Sequence, residues 1–337
     1  MVLEMSFPQL EKAINPTHDI RLFAGRSNTK LAQEIADYLG TTIGPMVIKN
    51  FADGEIYVQV KESVRGDDVF IIQPLCNPVN ENLMELLIII DAFKRASAKT
   101  ITAVIPYYGY ARQDRKTSGR EAITAKLVAD LLTTAGANRV LAMDLHTGQI
   151  QGFFNILVDH VYAEPILVNY IKSLNFNSDD IVAVSPDTGG VVRTRHFAKQ
   201  LGCSLAIIDK RRDKHNEAIC SNVIGDVKDK ICLMYDDIID TAGTICEASK
   251  LLKVEGAKEV YVCAAHPVFS GPAIERLGNA PIKECIVTNS IPLDTDKLPS
   301  NIKQLSVAPL LGQAISRIHD DESVSSLFGF EKEMQVS

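Results

Sequence analysis

The feature that most constrains the fold is a pattern that occurs three times along the chain. In each copy, the end of a helical pattern leads through a short turn of small residues into an apolar strand pattern, at residues 96–107, 135–146 and 256–266. A strand that follows a helix in this way is typical of βαβ units, whose strands run parallel within one sheet. Because the copies lie on both sides of the chain's midpoint, we predict an α/β protein with two related domains, each a mostly parallel sheet flanked by helices.

The length of 337 residues also fits two domains of ordinary size. Residues 149–164 read as a long connecting stretch, and Pro165 then starts a helical pattern. We therefore predict an N-terminal domain over residues 20–164 and a C-terminal domain over residues 165–337. Residues 1–19 carry no clear pattern and lie outside both predicted domains.

Composition excludes several classes of protein. Apolar residues make up 46% of the chain and charged residues 23%, as in a soluble globular protein. The net charge of −7 argues against general nucleic-acid binding, so a bound anion would need a local cluster of basic residues. The most apolar run, residues 83–90, is too short to span a bilayer, and the N-terminus has no signal-peptide core. We predict no nucleic-acid partner and no membrane association.

The seven cysteines are scattered along the chain and form no C-x-x-C motif. Several lie within apolar patterns, which is typical of reduced, buried thiols. These features predict a cytoplasmic location. An organellar protein that has lost its transit peptide would show the same pattern.

Residues 231–244 carry the most specific site pattern in the chain. An apolar strand pattern leads to three carboxylates, Asp236, Asp237 and Asp240, and then to a loop of small and hydroxyl residues before a helical pattern begins. A helix that starts after such a loop can bind phosphate on its free N–H groups. Since carboxylates accept hydrogen bonds from hydroxyls, the pattern predicts a ligand with a phosphate at one end and hydroxyls at the other.

Further polar residues follow other predicted strands, at the sheet edge where ligands bind in α/β proteins. The basic cluster at residues 110–116 can clamp a polyphosphate and stack a base, or it can be a solvated loop. Asp144 and His146, two apart on a predicted strand, share a face and can ligate a metal ion, although such pairs are more often structural. Asp187 precedes two glycines that open a helix, so it can likewise meet a phosphate or a metal ion.

Two charged loops have both a plain and a functional interpretation. Residues 51–55 form a hairpin turn that is either solvated or projects a phenylalanine and two acids toward a ligand or another subunit. Residues 210–216 are the densest basic run, either an exposed hairpin or a lid that brings cations to a transferring phosphoryl group. Pattern alone favours the solvated interpretation of both loops.

Taken together, these stretches resemble the ribose-phosphate pyrophosphokinases, also called phosphoribosyl pyrophosphate synthetases. Residues 236–244 are similar to the phosphoribosyl-binding signature that this family shares with phosphoribosyltransferases. The stretches that select the synthetase occur in family order, at residues 51–55, 110–114, 143–146, 149–154, 185–187 and 210–212. The resemblance implies a phosphoribosyltransferase-like fold in both domains.

The resemblance also implies a reaction and a role for each matching residue. The β,γ-diphosphoryl group of ATP would move to the C1 hydroxyl of ribose 5-phosphate, with Mg²⁺ as cofactor, giving phosphoribosyl pyrophosphate and AMP. The catalytic cations would be Lys210 and Arg212, and the metal-linked positions would be His146, Asp187 and Asp144. ATP would be bound by Phe51, Asp53, Gly54, Glu55, Arg112, Gln113, Asp114 and His146. Ribose 5-phosphate would be bound by Arg212, Asp236, Asp237, Asp240, Thr241, Ala242, Gly243 and Thr244.

The implied assembly is a homo-oligomer, specifically a hexamer, in which residues 51–55 of one subunit complete the ATP site of a neighbour. ADP and phosphate are the implied regulators. The chain departs from the family at Asn155, where an aspartate is usual, so Asn155 is left out of the predicted metal set.

Two other functions stay open on the sequence. A phosphoribosyltransferase would use the same loop at residues 236–244, but it would not need the basic cluster at residues 110–116. A non-catalytic regulatory homologue would only assemble with active subunits, and the presence of Lys210, His146 and Asp187 argues against it.

Overall fold

The first half of the chain folds around a parallel sheet, as the sequence predicts. The computed structural model describes residues 20–212 and 219–328. The strands of this half are β1 (Arg21–Ala24), β2 (Met46–Asn50), β3 (Ile56–Val60), β4 (Asp68–Ile72), β5 (Thr100–Ile105), β6 (Arg139–Met143) and β7 (Leu157–Val161). Five of them form a parallel sheet in the order β1-β4-β5-β6-β7, while β2 and β3 form a separate antiparallel hairpin.

The second half repeats this architecture with a wider sheet. Its strands are β8 (Ile181–Ser185), β9 (Ser204–Arg212), β10 (Ile219–Ile224), β11 (Ile231–Ile239), β12 (Glu259–Pro267), β13 (Glu284–Thr288) and β14 (Ile302–Leu305). The sheet order is β10-β9-β8-β11-β12-β13-β14, and only the edge strand β10 pairs antiparallel. The prediction of an α/β fold with two related, mostly parallel sheets is confirmed.

Helices cover both faces of each sheet. They are α1 (Thr29–Leu39), α2 (Val79–Arg95), α3 (Thr124–Ala135), α4 (Glu164–Ser173), α5 (Val191–Leu201), α6 (Gly243–Val254), α7 (Ala273–Asn279) and α8 (Ala308–His319). As the sequence predicts, α1 begins at Asn28, whose side chain accepts a hydrogen bond from the Leu31 N–H, and ends at Gly40 in the left-handed conformation. No helix within the described residues is long and apolar enough to cross a membrane.

Alternating strand residues explain why both faces are covered. In β4, Ile71 packs into the core beneath α2 and α3, while its neighbours Phe70 and Ile72 pack on the opposite side with α1 and α8. All three side chains are almost completely buried, and burial of each stabilises the fold by roughly 1.5–3 kcal/mol. A parallel strand that is buried on both faces therefore reads as an unbroken apolar run, which is how these strands could be predicted.

Three local predictions were wrong. Residues 149–164 contain the strand β7, which the sequence hides because this edge strand is half exposed and includes Asp159 and His160. Strand β6 ends at Met143, so Asp144 and His146 lie in the following loop and do not share a strand face; the backbone turns at Asp144, where φ is 40°.

The third difference is the length of β11. The strand continues through Asp236 and Asp237 to Ile239, whereas the apolar pattern in the sequence predicted a strand only up to the first carboxylate. Pairing with β12 continues alongside it, so the two carboxylates project from a rigid ladder instead of a loop.

The last helix of the second half packs against the first half. Helix α8 lies on α1, and both contribute to one apolar cluster with β1 and β4. The close approach depends on Gly312, because a Cβ there would overlap the Tyr38 ring. The predicted boundary at residues 164 and 165 stays a prediction, and residues 1–19 and 329–337 lie outside the described residues.

We predict that Gly312→Ala destabilises the protein, although alanine normally favours a helix interior by about 1 kcal/mol over glycine. The new methyl group has to displace the Tyr38 ring, and such overpacking costs about 1–3 kcal/mol. The measurement is the urea midpoint of Gly312→Ala in the wild-type and in the Tyr38→Ala background. In the second background the cost should disappear, and an equal cost in both backgrounds would contradict the contact.

Candidate active site

The candidate site lies where strand ends of the two sheets face each other. Hydrogen bonds join the loops after β5 and β6 in the first half to β11 and β12 in the second half. This is the carboxyl edge of each parallel sheet, the usual place for ligands in α/β folds. The structure therefore brings the basic cluster after β5 and the predicted sugar-binding loop after β11 to one place.

A chain of charged groups crosses the junction of the two halves. The His146 Nδ1 lies 2.7 Å from the Asp237 Oδ2. The Arg193 guanidinium contacts Asp237 and donates to the Asp236 Oδ1 at 2.9 Å. Asp237 is almost fully buried, with 7% of its surface exposed. This series of charged groups therefore begins at His146 in the first half and continues through two carboxylates and one arginine in the second half.

The two adjacent carboxylates titrate in opposite directions. Burial and the nearby charge of Asp237 raise the pKa of Asp236. Burial also opposes ionisation of Asp237, but the hydrogen bond to His146 and the charge of Arg193 outweigh it and lower the pKa of Asp237. In turn, the hydrogen bond to Asp237 raises the pKa of His146. The pair thus carries its negative charge preferentially on Asp237.

A second salt bridge connects the two halves at the exposed edge of the site. The Arg112 Nη1 lies 2.6 Å from the Asp240 Oδ2, which joins the basic cluster to the acidic end of the predicted sugar loop. Both side chains are partly exposed, at 48% and 30%, so a ligand can reach them. Burial opposes the ionisation of Asp240, but hydrogen bonding by Ser270 and Arg112 lowers its pKa.

The predicted phosphate loop is shaped for an anion. Ala242 adopts the left-handed conformation at φ 59°, and α6 starts at the next residue. The first N–H groups of a helix have no partner within it, so the start of α6 can bind an anion beside Thr241 and Thr244. Arg276 from α7 donates to the Thr241 carbonyl at 3.0 Å and fixes the loop from outside.

His160 on β7 positions the loop that carries His146. Its Nε2 accepts a hydrogen bond from the Leu145 N–H at 2.9 Å, which requires a neutral imidazole with the proton on Nδ1. Burial, together with the charge of His266, lowers the pKa of His160 to about 4. Protonation of His160 would remove the acceptor and release the loop.

All three predicted metal positions have protein partners, and that of His146 is Asp237. The Asp187 Oδ1 accepts a hydrogen bond from the Gly190 N–H at 3.0 Å, at the start of α5. The Asp144 carboxylate is buried and accepts from the Ala163 N–H at 2.8 Å. Within the described residues, no group of three or more His, Cys, Asp or Glu side chains could hold a metal ion. The metal roles of Asp144, His146 and Asp187 stay predictions.

The remaining predicted ATP residues lie in two places. Gln113 and Asp114 follow Arg112 and receive hydrogen bonds from Thr124 and Thr147. Residues 51–55, by contrast, form the exposed tip of the β2-β3 hairpin, and their described hydrogen bonds stay within the hairpin. Phe51 is 49% exposed and contacts the edge of the Tyr57 ring.

The predicted lid cations are only partly described. Lys210 and Arg212 belong to the end of β9, whose backbone pairs with β10, but their side chains and residues 213–218 lie outside the described residues. Their catalytic roles stay predictions.

Three residues of the site were missed from the sequence. Arg193 and Arg276 read as ordinary helical cations, although a cation in the first turn of a helix such as α5 opposes the helix dipole and is a usable signal. His266 is buried at the end of β12, where its ring contacts the Ser290 hydroxyl and the Asp144 carbonyl. A histidine that ends an apolar strand was the signal here.

Comparison with known families agrees with this geometry. The family model for the N-terminal domain of ribose phosphate pyrophosphokinase matches residues 20–136, and that for the phosphoribosyl synthetase-associated domain matches residues 212–329. The chain belongs to the ribose-phosphate pyrophosphokinase family. The resemblance that the sequence motifs indicated is thereby confirmed.

Relatives in this family cover nearly the whole chain. The chain is 60% identical over 317 residues to a ribose-phosphate pyrophosphokinase of Nostoc sp., covering 94% of this chain and 95% of that protein. It is 59% identical to the chloroplastic ribose-phosphate pyrophosphokinase 2 of Arabidopsis thaliana, with 95% and 80% covered. The crystal structure of phosphoribosylpyrophosphate synthetase from Mycobacterium smegmatis superposes with a TM-score of 0.85 at 47% identity, over 90% of this chain and 99% of that one.

We predict that stability falls as the pH decreases from 6.5 to 4, in part because of His160. In this window the unfolded chain binds a proton at residue 160 and the folded one resists it, so protons favour unfolding. The contribution is at most about 3 kcal/mol, since one pKa unit corresponds to about 1.4 kcal/mol.

The measurement is the urea midpoint across this pH range for the wild type and for His160→Gln. The glutamine side chain can accept from the Leu145 N–H and does not titrate, so its stability should fall less steeply. Equal slopes for both proteins would show that His160 does not contribute.

Proposed function

We propose that this family member is a ribose-phosphate diphosphokinase, which transfers the β,γ-diphosphoryl group of ATP to the C1 hydroxyl of ribose 5-phosphate. The products are phosphoribosyl pyrophosphate, for nucleotide biosynthesis, and AMP. The observation that carries the proposal is the salt bridge between Arg112 and Asp240 at 2.6 Å, because it places the basic nucleotide-side cluster against the sugar-phosphate loop. Diphosphoryl transfer needs this juxtaposition of two substrates more than it needs a nucleophilic side chain.

The sugar half of the site lies along the end of β11. The first turn of α6 and Thr241 to Thr244 bind the 5-phosphate, and Asp236 and Asp240 accept hydrogen bonds from the ribose hydroxyls. Arg276 keeps the loop in place from behind. The C1 hydroxyl then points toward the first half of the chain, where the nucleotide is bound.

The nucleotide half uses the loops after β5 and β6. Arg112 contacts the phosphates of ATP, Gln113 and Asp114 shape the loop, and His146 lies at the junction. His146 and Asp187 would hold Mg²⁺ together with phosphate oxygens of ATP. Mg²⁺ prefers few protein ligands plus phosphates and water, which fits the lack of a three-ligand cluster among the described residues. When bound, it neutralises the charge of the diphosphoryl group.

Lys210 and Arg212 supply the cations that stabilise the transferring group. They lie at the end of β9, next to β8, whose own end leads to Asp187. Cations that arrive only when both substrates are bound favour transfer to the sugar over transfer to water.

We predict that the protein releases AMP when it is mixed with ATP, Mg²⁺ and ribose 5-phosphate. Lys210→Ala should lower turnover by roughly 10²-fold or more while ribose 5-phosphate still binds, because the lysine acts on the transition state. Lys303→Ala, on the distant edge strand β14, is the matched control and should be unaffected.

Folded protein that forms no AMP with phosphate present would contradict the enzyme assignment and favour the non-catalytic regulatory homologue. Activity with phosphoribosyl pyrophosphate and a base, without ATP, would favour the phosphoribosyltransferase.

We also propose that the site is completed by a second copy of the chain in a homo-hexamer. The tip of the β2-β3 hairpin carries Phe51, Asp53, Gly54 and Glu55, is exposed, and makes its described hydrogen bonds only within the hairpin. On the same side, α2 and α3 expose Met84, Leu127 and Leu131 at 38% or more. Exposed large apolar side chains on neighbouring helices are a feature of subunit contacts.

We predict that two inactive variants restore activity when co-expressed. Phe51→Ala damages the hairpin and Lys210→Ala damages the lid, so a mixed oligomer contains about a quarter of sites built from two intact parts. The measurement is AMP release, which we expect from the co-expressed mixture and from neither variant alone. A sedimentation mass counts the subunits. A monomeric mass or an inactive mixture would exclude the shared site.

ADP and phosphate are proposed as regulators, since ADP resembles the nucleotide substrate and phosphate resembles the end of the sugar. A cytoplasmic location is proposed as well. It is supported by the free thiols of the six cysteines whose side chains the structure describes, which suit a reducing compartment.

A further inference from the structure

Arg193 occupies an unusual place for a cation. It lies in the first turn of α5, where the helix dipole disfavours positive charge, yet only 27% of its side chain is exposed. Two carboxylates hold it there: the Asp236 Oδ1 at 2.9 Å, and the Asp237 Oδ1 in direct contact. The position therefore depends on the carboxylates of β11.

The contacts of Asp237 leave it little capacity for a substrate. Its Oδ1 is held by Arg193 and its Oδ2 by the His146 Nδ1 at 2.7 Å, and the residue is almost fully buried. Because the side chain is almost fully buried, a sugar hydroxyl could reach these oxygens only if one of the charged partners moved. Asp236 differs, because its Oδ1 accepts from Arg193 and from the Asp237 N–H at 2.9 Å while the side chain stays partly exposed at 22%.

The contact with Asp237 also determines how His146 is presented. A carboxylate that accepts from Nδ1–H fixes the tautomer and the ring orientation, and leaves Nε2 as the free acceptor. His146 belongs to the first half of the chain, whereas Asp237 and Arg193 belong to the second. The same three groups thus connect the sugar side of the site to the nucleotide side.

We propose that Arg193 is a positioning residue that acts in two directions, through Asp237 on His146 and through Asp236 on the ribose hydroxyls. In this assignment Asp237 orients His146 and does not bind the sugar itself. The proposal rests on the diphosphokinase function above. Both half-sites depend on the same guanidinium. Binding of one substrate therefore orders the side chains that bind the other.

The plain alternative is that Arg193 only neutralises two buried carboxylates and stabilises the fold. A purely structural role lowers stability and the amount of active protein, but it leaves the KM values of the surviving enzyme unchanged. A positioning role changes kcat and KM in a pattern that depends on which carboxylate is altered. Steady-state kinetics with either substrate varied therefore separates the two roles.

The first test compares Asp237→Asn with Asp236→Asn, which are nearly isosteric changes on adjacent residues. Asp237→Asn should lower kcat by roughly 10²-fold and leave the KM for ribose 5-phosphate within about twofold, because it acts through His146. Asp236→Asn should raise the KM for ribose 5-phosphate by about tenfold or more, since the amide replaces one of the carboxyl oxygens that contact Arg193 and the sugar. Similar increases of this KM in both variants would overturn the assignment of Asp237.

The second test compares Arg193→Met with Arg195→Met, two residues further along the same helix, where the side chain is exposed. Arg193→Met should lower kcat and raise the KM for ribose 5-phosphate together, whereas Arg195→Met should match the wild type. If both variants match the wild type, Arg193 has no positioning role. If Arg193→Met does not fold, the comparison of the two aspartate variants decides the proposal alone. Wild-type protein that releases no AMP would refute the proposed function, whereas active wild type with unchanged variants would refute only this inference.

Discussion

The contact between His146 and Asp237 joins the two sheets where their strand ends meet, and most of the site is arranged around it. A buried carboxylate has to be compensated, because removing its charge from water costs several kcal/mol. Here the compensation comes from both halves of the chain: His146 from the first and Arg193 from the second. The contacts that compensate the buried charge therefore also bring the nucleotide-side loop and the sugar-side strand into one site.

The electrostatics of the site follow from this arrangement. Its cations come from separate elements. The loop after β5 and the helix α5 bring arginines to the acids of β11 and the following loop, and α7 brings Arg276 to the backbone of that loop. The net charge of −7 makes such local cations necessary for the binding of two phosphate-bearing substrates. The acids nearby are largely matched by arginines, which limits their repulsion of the incoming phosphates.

The local features of the fold could be predicted from the sequence, and the long-range ones could not. Central strands such as β4 read as apolar runs because both of their faces are buried, and the cap at Asn28 and the end at Gly40 depend on neighbouring residues alone. The edge strand β7 was missed because half exposure breaks its apolar pattern. In the site, Asp236 and Asp237 could be predicted because the residues next to them in sequence form a strand pattern followed by a loop. Arg193, 43 residues earlier than Asp236, became part of the site only through the packing of α5 beside β11.

The packing of α8 on α1 has a consequence for the order in which the chain can mature. Within the described residues, α1 is the first helix to be synthesised and α8, which covers its apolar side, is the last α-helix. At ordinary synthesis rates, the interval between the two is on the order of 10–50 seconds. During that time the side of β1 and β4 that binds α1 and α8 is incompletely covered. A chain truncated before α8 therefore keeps the strands of the first sheet, but one face of that sheet stays exposed and apolar. Only the synthesis of α8 completes the core of the first half.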